Sequence, residues 1–397
     1  MKLHQKLREL SAAVAAEGGR LFVVGGWVRD IHLERMPGDV DCEVHLLRPE
    51  RLMQLLNQEG AASKVGRSFG VYKWAVSGEC FDIHLVESAL SLEKSVEKAI
   101  ERRDFCCNAL LFDPLTDQVL DRVGGLADIE AGRLRAVHSS RFGEDPLRAI
   151  RGPRFAATLG FTMDAEAEEL CRTQDLSGLP GERIWGEFYR ILTGSFPERG
   201  WELLGELGLL QQLFPDCSAL SSREVGTRLR WLRGAVPSLE PPGLVVVQLT
   251  LATVEASEPQ LNQLFERLRL DRVEGVSLRR SMRGLRDWLQ WVEVHGMGDE
   301  ALLHLSEFCP VHWGVAVFSA LKRTVDPVTL MERARILGVE QGPLPALLSG
   351  QDLLEVGVDA GPEVGRLLAK LRSRQLAGTI PDRMAALEWL ERELSLD

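Results

Sequence analysis

The hydrophobic period of this chain changes once, near Phe142, and that change restricts its possible folds more than any other feature. Before it, apolar residues gather in short β-rich runs at Leu21–Val24, Val40–Leu47, Val71–Val76, Phe81–Val86 and Ala109–Phe112. These runs alternate with helical patterns, which predicts an α/β head over residues 1–137. After it, apolar residues recur with helical spacing in Pro146–Leu159, Glu182–Leu192, Glu198–Leu209 and Met384–Leu394. Proline and glycine mark breaks at Pro237–Gly243 and Gly338–Pro345. The expected fold class is therefore α+β, a head followed by an all-helical neck (138–215), body (216–330) and tail (331–397).

At 397 residues the chain exceeds what one hydrophobic core organises, so several structural units are expected. No run of eighteen apolar residues and no leader-like pattern at Met1 occurs, which predicts a cytoplasmic protein with no membrane partner. Its seven cysteines are scattered and never spaced C-x-x-C, so neither a disulfide framework nor a structural zinc site is signalled, and Cys106 and Cys107 read as core. The net charge of −11 argues against non-specific coating of long RNA. Any RNA contact must come from local basic stretches.

Chemistry concentrates in the head. In LFVVGGWVRD, Gly25 and Gly26 lie between a buried-type strand and a helix, where backbone N–H groups can approach an anion; a plain strand-to-helix turn has the same pattern. Arg29 could add a charge-assisted bond to a triphosphate. Asp39 and Asp41 follow in GDVDCEVHLL, at i and i+2 of a strand, so both carboxylates point to one side. A divalent cation, Mg²⁺ by its preference for hard oxygen donors, would relieve their repulsion, whereas an isolated D-x-D is commonly a solvated turn. Asp82, in CFDIHLVE, is the candidate third carboxylate, with a solvent-facing strand position as the alternative. His84 shares its face and reads more simply as structural.

Taken in order, GGWVRD, GDVD, RRDFCCNAL (Arg102–Leu110), EDPLRAIR (Glu144–Arg151) and ERIWGEF (Glu182–Phe188) resemble the motif set of the class II tRNA nucleotidyltransferases. That family comprises the bacterial CCA-adding enzymes and their CC-adding, A-adding and poly(A) polymerase relatives. A later stretch, LLSGQDLLEVGVDAGPEVG (Leu347–Gly365), is similar to the family's C-terminal region. The resemblance implies a polymerase β-like nucleotidyltransferase head and two metal ions held by Asp39 and Asp41; Asp82 is the catalytic candidate by its strand position alone. It implies a triphosphate held by Gly25, Gly26 and Arg29. Arg102, Arg103, Asp104 and Asn108 would set the ribose and phosphates. Cys106 stands where the family commonly has threonine.

The same resemblance assigns Asp145 and Arg148 to reading the incoming base, with Arg151 and Arg154 also at the nucleotide. Three residues apart on an expected helix, the pair are neighbours. A carboxylate accepts from the exocyclic amine of cytosine or adenine and a guanidinium donates to the adjacent ring nitrogen, while uracil and guanine present the reverse polarity. An exposed i,i+3 ion pair would have the same spacing. Glu144, Arg183 and Glu187 are expected to orient the template helix from behind, and Pro153 is expected to kink it. For RNA, Arg279, Arg280, Arg283 and Arg286, with Trp288 and Trp291 nearby, form one basic stretch, and Lys370, Arg372 and Arg374 another; solvated helix faces are the alternative.

Complete CCA-adding members of the family carry a flexible loop between the carboxylate strand and the RRD motif. Here Glu87–Glu101 runs almost at once into an amphipathic segment, with no glycine, proline or aromatic residue. The expectation is therefore a CC-adding enzyme acting on tRNA with CTP. Complete CCA addition, which also uses ATP, is the runner-up, followed by A addition and then a non-catalytic RNA-binding homologue.

Overall fold

The computed structural model describes residues 5–65, 70–86, 89–217, 220, 223–235, 239–323 and 325–395. The chain divides into two compact units, residues 1–213 and 214–397.

The first unit begins with α1 (Gln5–Ala16), β1 (Arg20–Val24), α2 (Gly26–His32), β2 (Asp41–His45) and α3 (Pro49–Glu59). It continues through β3 (Ala61–Val65), β4 (Val71–Val76), β5 (Glu79–Val86) and α4 (Leu92–Glu101). Then come β6 (Leu111–Asp113), β7 (Gln118–Leu120), α5 (Gly125–Glu130) and β8 (Arg133–Leu134). Helices close it: α6 (Arg148–Leu159), the short β9 (Thr162–Met163), α7 (Ala165–Arg172), α8 (Gly181–Leu192), α9 (Pro197–Glu206) and α10 (Leu209–Leu213). Among the described residues one sheet has seven strands in the order β3-β4-β5-β2-β1-β6-β7. Its β2 and β5 run parallel and its other pairs antiparallel.

Alternation along β2 decides what the site contains. Cys42 and Val44 enter the core on one face, while Asp41, Glu43 and His45 share the other. A one-residue slip would bury the acids among the apolar side chains, so the hydrophobic face specifies the register. Parallel pairing sets Asp41 opposite Asp82 and Glu43 opposite His84. On the same face, Val96 and Ile100 of α4 pack with Phe22, Val24, Ala109 and Leu111. Burying two such apolar side chains contributes about 1.5–3 kcal/mol each, enough to anchor a ten-residue helix that would be marginal alone.

Expectation and structure differ in several places. Strands β3 and β7 were not signalled, since exposed or short runs give no alternation. The run Ala109–Phe112 becomes a strand only at Leu111, after a 3-10 turn at Cys106–Asn108; Cys106 and Cys107 are fully buried, as expected. Glu198–Leu209 is two helices, divided at Gly208, whose φ is +71°. Pro153 does not interrupt α6, which runs unbroken to Leu159. Beside it a Cβ on Gly200 of α9 would lie 2.7 Å from the Pro153 carbonyl oxygen, so these helices meet backbone to backbone.

The second unit is nearly all helix. It contains α11 (Arg223–Ala235), α12 (Pro241–Thr253) and α13 (Glu258–Leu268), then a two-residue ladder of β10 (Arg272–Val273) and β11 (Val276–Ser277). Next come α14 (Leu278–His295), α15 (Asp299–Ser306), α16 (Val311–Lys322) and α17 (Pro327–Ile336). The chain ends in α18 (Gly350–Glu355), α19 (Pro362–Leu376) and α20 (Arg383–Leu394). The expected break at Pro237–Gly243 lies partly outside the described residues, and its Pro241-Pro242-Gly243 part is the first turn of α12, where a missing N–H leaves no bond unmade. Apolar on all sides, α12 is the core helix of this unit. Its last helices enclose Leu348, Leu353, Leu367, Leu371, Ile380 and Leu390. Among the described residues no helix is long and apolar enough to cross a membrane.

Candidate active site

Asp39 is exposed in the turn before β2, and Asp41 is half-buried at its first position. Among the described residues no cation pairs with either carboxylate. Burial raises the Asp41 carboxyl above its ordinary range, and the carboxylates of Asp82 and Asp39 push the same way against His84 and Arg103. Two hard oxygen donors with uncompensated negative charge fit a divalent cation. Asp82 faces Asp41 in register, but its carboxylate is engaged by Lys73 at 3.0 Å. Among the described residues no three acidic, histidine or cysteine side chains converge as a metal cage.

The strand-to-helix turn requires its first glycine. Gly25 has φ +71° and caps α2, and a Cβ there would lie 3.5 Å from Arg103 Nη1. Behind the turn, Arg29 is buried: it donates from Nη1 to Asn108 Oδ1 at 2.5 Å and from Nε and Nη2 to Asp30. Asn108 donates in turn to Asp104 Oδ1 at 3.1 Å. Asp104, also buried, accepts from the Phe105 N–H and from Arg151 Nε at 2.6 Å. Burial acts to raise its carboxyl, but Arg151, the Phe105 N–H and Asn108 outweigh it and hold it below the usual range. Gly25, Gly26, Arg29, Arg102, Arg103, Asp104 and Asn108 all line one cavity of about 370 Å³, with Asp41 at its edge.

Asp145, Arg148, Arg151 and Arg154 line the same cavity. The pair expected to read the base is not helical at both positions: Asp145 is extended, just before α6, and Arg148 is the first residue of the helix. They make no ion pair with each other. Asp145 Oδ1 accepts from the Leu147 N–H at 3.2 Å, and Asp145 pairs with Arg183 at 3.0 Å. Arg148 donates to the carbonyls of Arg141, at 2.7 Å, and of Arg102. Each is thus held by other groups and aimed separately. Buried Glu187 pairs with Arg154 at 2.8 Å, so two residues of α8 support the template segment by different routes. Burial lowers the Arg154 guanidinium to about 10, with Glu187 acting against the shift. Exposed Glu144 pairs with Arg141 at 3.6 Å and does not line the cavity.

The two basic stretches of the second unit are largely spent inside it. Arg286 is buried and donates to the carbonyls of Thr253 and Ala256. Arg279 and Arg283 both donate to Asn262 Oδ1, and Arg283 also pairs with Glu258. Trp288 is buried, its Nε1 donating to Ala301 O at 2.7 Å, and Trp291 stacks on His295. Lys370 pairs with Glu393, Arg372 with Glu307, and Arg374 lies over Trp389. Arg280 alone of the first stretch is exposed with no acidic partner among the described residues. Helical spacing identified the stretch but not these partners, which come from α12, α13 and other helices distant in sequence.

Sequence reasoning did not single out Glu43, although its place two residues beyond Asp41 was the signal. It pairs with Arg103 at 2.5 Å on the face that carries the catalytic candidates. Nor did it signal a second cavity, about 710 Å³, that shares Asp41, Arg102 and Arg103 with the first and is lined by His84, Lys98 and Ser95.

Comparison with known proteins finds relatives for two segments of the chain and for its fold. Residues 21–135 match the poly A polymerase head domain, and residues 160–220 match the probable RNA and SrmB-binding site of polymerase A. The chain is 30% identical over 260 residues to a CC-adding tRNA nucleotidyltransferase of Halalkalibacterium halodurans, covering 64% of each chain. It is 35% identical over 219 residues to a multifunctional CCA protein of Pasteurella multocida, covering 51% of this chain and 50% of that one. These matches span between half and about two thirds of the relatives' lengths. In fold, the Bacillus stearothermophilus CCA-adding enzyme in complex with CTP is similar with a TM-score of 0.77 at 23% identity, covering 100% of this chain and 99% of that one. The Thermotoga maritima CCA-adding enzyme complexed with tRNA is similar with a TM-score of 0.72 at 20% identity, covering 99% and 96%. A head segment and an RNA-binding segment of this kind thus follow in order, and over these segments the chain is similar to the bacterial class II CCA-adding enzymes and their CC-adding relatives.

Proposed function

We propose that this protein is a tRNA nucleotidyltransferase that adds two cytidines to the tRNA 3′ end from CTP without a nucleic-acid template. One observation carries the reading: a single cavity gathers the Gly25 turn, Asp41, Arg103 and both members of the Asp145/Arg148 pair. Phosphate, metal and base chemistry thus lie within one nucleotide's reach. Its orphaned donor supports an anionic ligand, because Arg103 Nε is buried without a hydrogen-bond partner.

Asp39 and Asp41 would hold divalent cations, Mg²⁺ by donor chemistry, which when bound stabilise charge on the attacking and leaving oxygens. The protein's own groups do the rest. The Gly25 turn and Arg103 orient the triphosphate, and Asp104 keeps Asn108 and Arg151 in place around the sugar and phosphates. Asp145 retains acceptor capacity beyond Arg183 and the Leu147 N–H, and Arg148 retains N–H groups beyond its two carbonyls. Together they match the N4 amine and N3 of cytosine.

Restriction to two cytidines is supported by the connection after β5. Residues 87–88 lie outside the described residues, and by Leu92 the chain is already in α4, whose Val96 and Ile100 are buried. A packed helix is a poor lever for resetting the template to the larger adenine. The 30% identity to a CC-adding relative supports the same choice, and the multifunctional CCA relatives keep full CCA addition as the second reading. A tRNA substrate implies a cytoplasmic setting.

The test is to incubate tRNA lacking its CCA end with CTP, with ATP and with both, and to resolve products to one nucleotide. Two cytidines followed by a stall are expected even with abundant ATP. Grafting a longer relative's loop between Val86 and Arg102 should then confer some adenosine incorporation. Efficient C, C and A addition by the unmodified chain establishes the second reading, and no incorporation by the intact chain overturns both.

A further inference from the structure

We propose that Glu43 is a positioning residue for nucleotide binding: it clamps the Arg103 guanidinium against the Gly25 turn, and a buried chain through His45 to Ser95 of α4 holds Glu43 in turn. The inference rests on the nucleotide-binding reading above and adds a group outside the motifs that carry it.

The geometry begins with β2, whose alternation sets Asp41, Glu43 and His45 in a row on the site face. Glu43 Oε1 accepts from Arg103 Nη2 at 2.5 Å, and Arg103 Nη1 donates to the Asn108 carbonyl at 3.3 Å. That same Nη1 is the atom nearest to where a Cβ on Gly25 would lie. The guanidinium is therefore fixed from two directions beside the phosphate turn. Its remaining buried donor, Nε, has no partner.

Further back, Glu43 Oε2 and His45 Nε2 face each other at 3.6 Å, longer than a hydrogen bond, and both are buried with no hydrogen-bond partner. His45 is wholly buried, and its Nδ1 lies 2.9 Å from Ser95 Oγ. An ionised carboxylate only accepts, so Nε2 carries the ring proton and Nδ1 accepts from the Ser95 hydroxyl. The polar contacts then run from Ser95 by a hydrogen bond to His45, and from the His45 ring by the longer contact to Glu43. Ser95 is buried on α4, so the chain ties that helix to the phosphate turn.

Physical need accounts for the clamp. Arg103 and Asp41 line the same cavities, and a free guanidinium would pair with the nearest carboxylate. By engaging Arg103, Glu43 leaves the Asp41 oxygens open for a cation and keeps the arginine aimed at the triphosphate. Its effect should therefore fall on the β- and γ-phosphates and not on the base.

The test measures binding of CTP and of CMP by calorimetry with Mg²⁺ present, in wild type, Glu43→Gln, Arg103→Met, the double variant and Ser95→Ala. Glu43→Gln should weaken CTP about tenfold and leave CMP nearly unchanged, and adding it to Arg103→Met should cost nothing further. Ser95→Ala should weaken CTP in the same sense by about twofold. Equal losses for CTP and CMP, or additive effects in the double variant, would overturn the proposal. If Glu43→Gln does not fold, Ser95→Ala carries the test, and unchanged CTP affinity there overturns it. Failure of the wild-type chain to bind CTP overturns the nucleotide reading itself and this inference with it.

Discussion

Helices α6 and α14 both carry arginines at helical spacing, and they use them in opposite ways. In α6, Arg148, Arg151 and Arg154 line a cavity and are held there by groups that leave part of each guanidinium available. In α14, Arg286 is sealed against two carbonyls, while Arg279 and Arg283 are tied to Asn262 and Glu258. Similar arginine spacing thus carries opposite meanings. What separates the two is the geometry of their partners: acidic and carbonyl groups behind α6 aim its arginines into open space, whereas those around α14 use its arginines to close a core.

The largest effect should come from the two metal-binding candidates, of which Asp41 lines the α6 cavity. Asp39→Ala or Asp41→Ala should reduce nucleotide addition by about a thousandfold or more while leaving tRNA affinity and thermal stability near wild type. Retention of more than a few per cent of turnover would remove these residues from catalysis. It would also leave the α6 cavity without its chemical centre.

The sharpest test of the α14 side is Arg286→Met. Two buried carbonyls lose their donors, so the second unit should lose about 3 kcal/mol, read as a drop in its unfolding midpoint. A variant that kept its midpoint and lost tRNA affinity would erase the contrast between the helices.

A smaller effect, near 2 kcal/mol, is expected for Asp104→Asn, which removes a charged acceptor from Arg151 and the Phe105 N–H. Because the Asp104 carboxyl is held below its ordinary value, its ionised form stabilises the folded state above about pH 4, and that contribution disappears as pH falls through the folded value. Melting curves should show the gap between wild type and variant widest at neutral pH and narrowing in acid. A gap that widened in acid would refute the assignment.

At the template, Asp145→Ala should lower the CTP-over-UTP preference about tenfold in single-turnover assays, because the amine-accepting group is lost while the phosphate turn stays. Unchanged preference would show that the pair does not read the base. Smallest of all, Arg279→Ala with Arg283→Ala should change stability by no more than about 0.5 kcal/mol, since half-exposed ion pairs contribute little. A large loss of tRNA binding in that double variant would make α14 an RNA surface after all, despite its internal partners.

Local pattern was enough for much of this molecule. The two-residue alternation of β2 determined which side Asp41 faces, whereas Asp39, expected in the same strand, lies in the turn before it; the Gly-Gly between strand and helix marked a turn that needs positive φ. The change of period near Phe142 separated the sheet-bearing part from the helices, because side-chain periodicity is set by backbone geometry and needs no partner to be read. Tertiary structure alone decided the rest. That Asp82 is engaged by Lys73, that Asp145 lies ahead of its helix and turns to Arg183, and that Glu43 holds Arg103 all depend on which strands and helices meet. Spacing along the chain says which side chains share a face, but a charge is free or spent only according to the groups that packing brings opposite it.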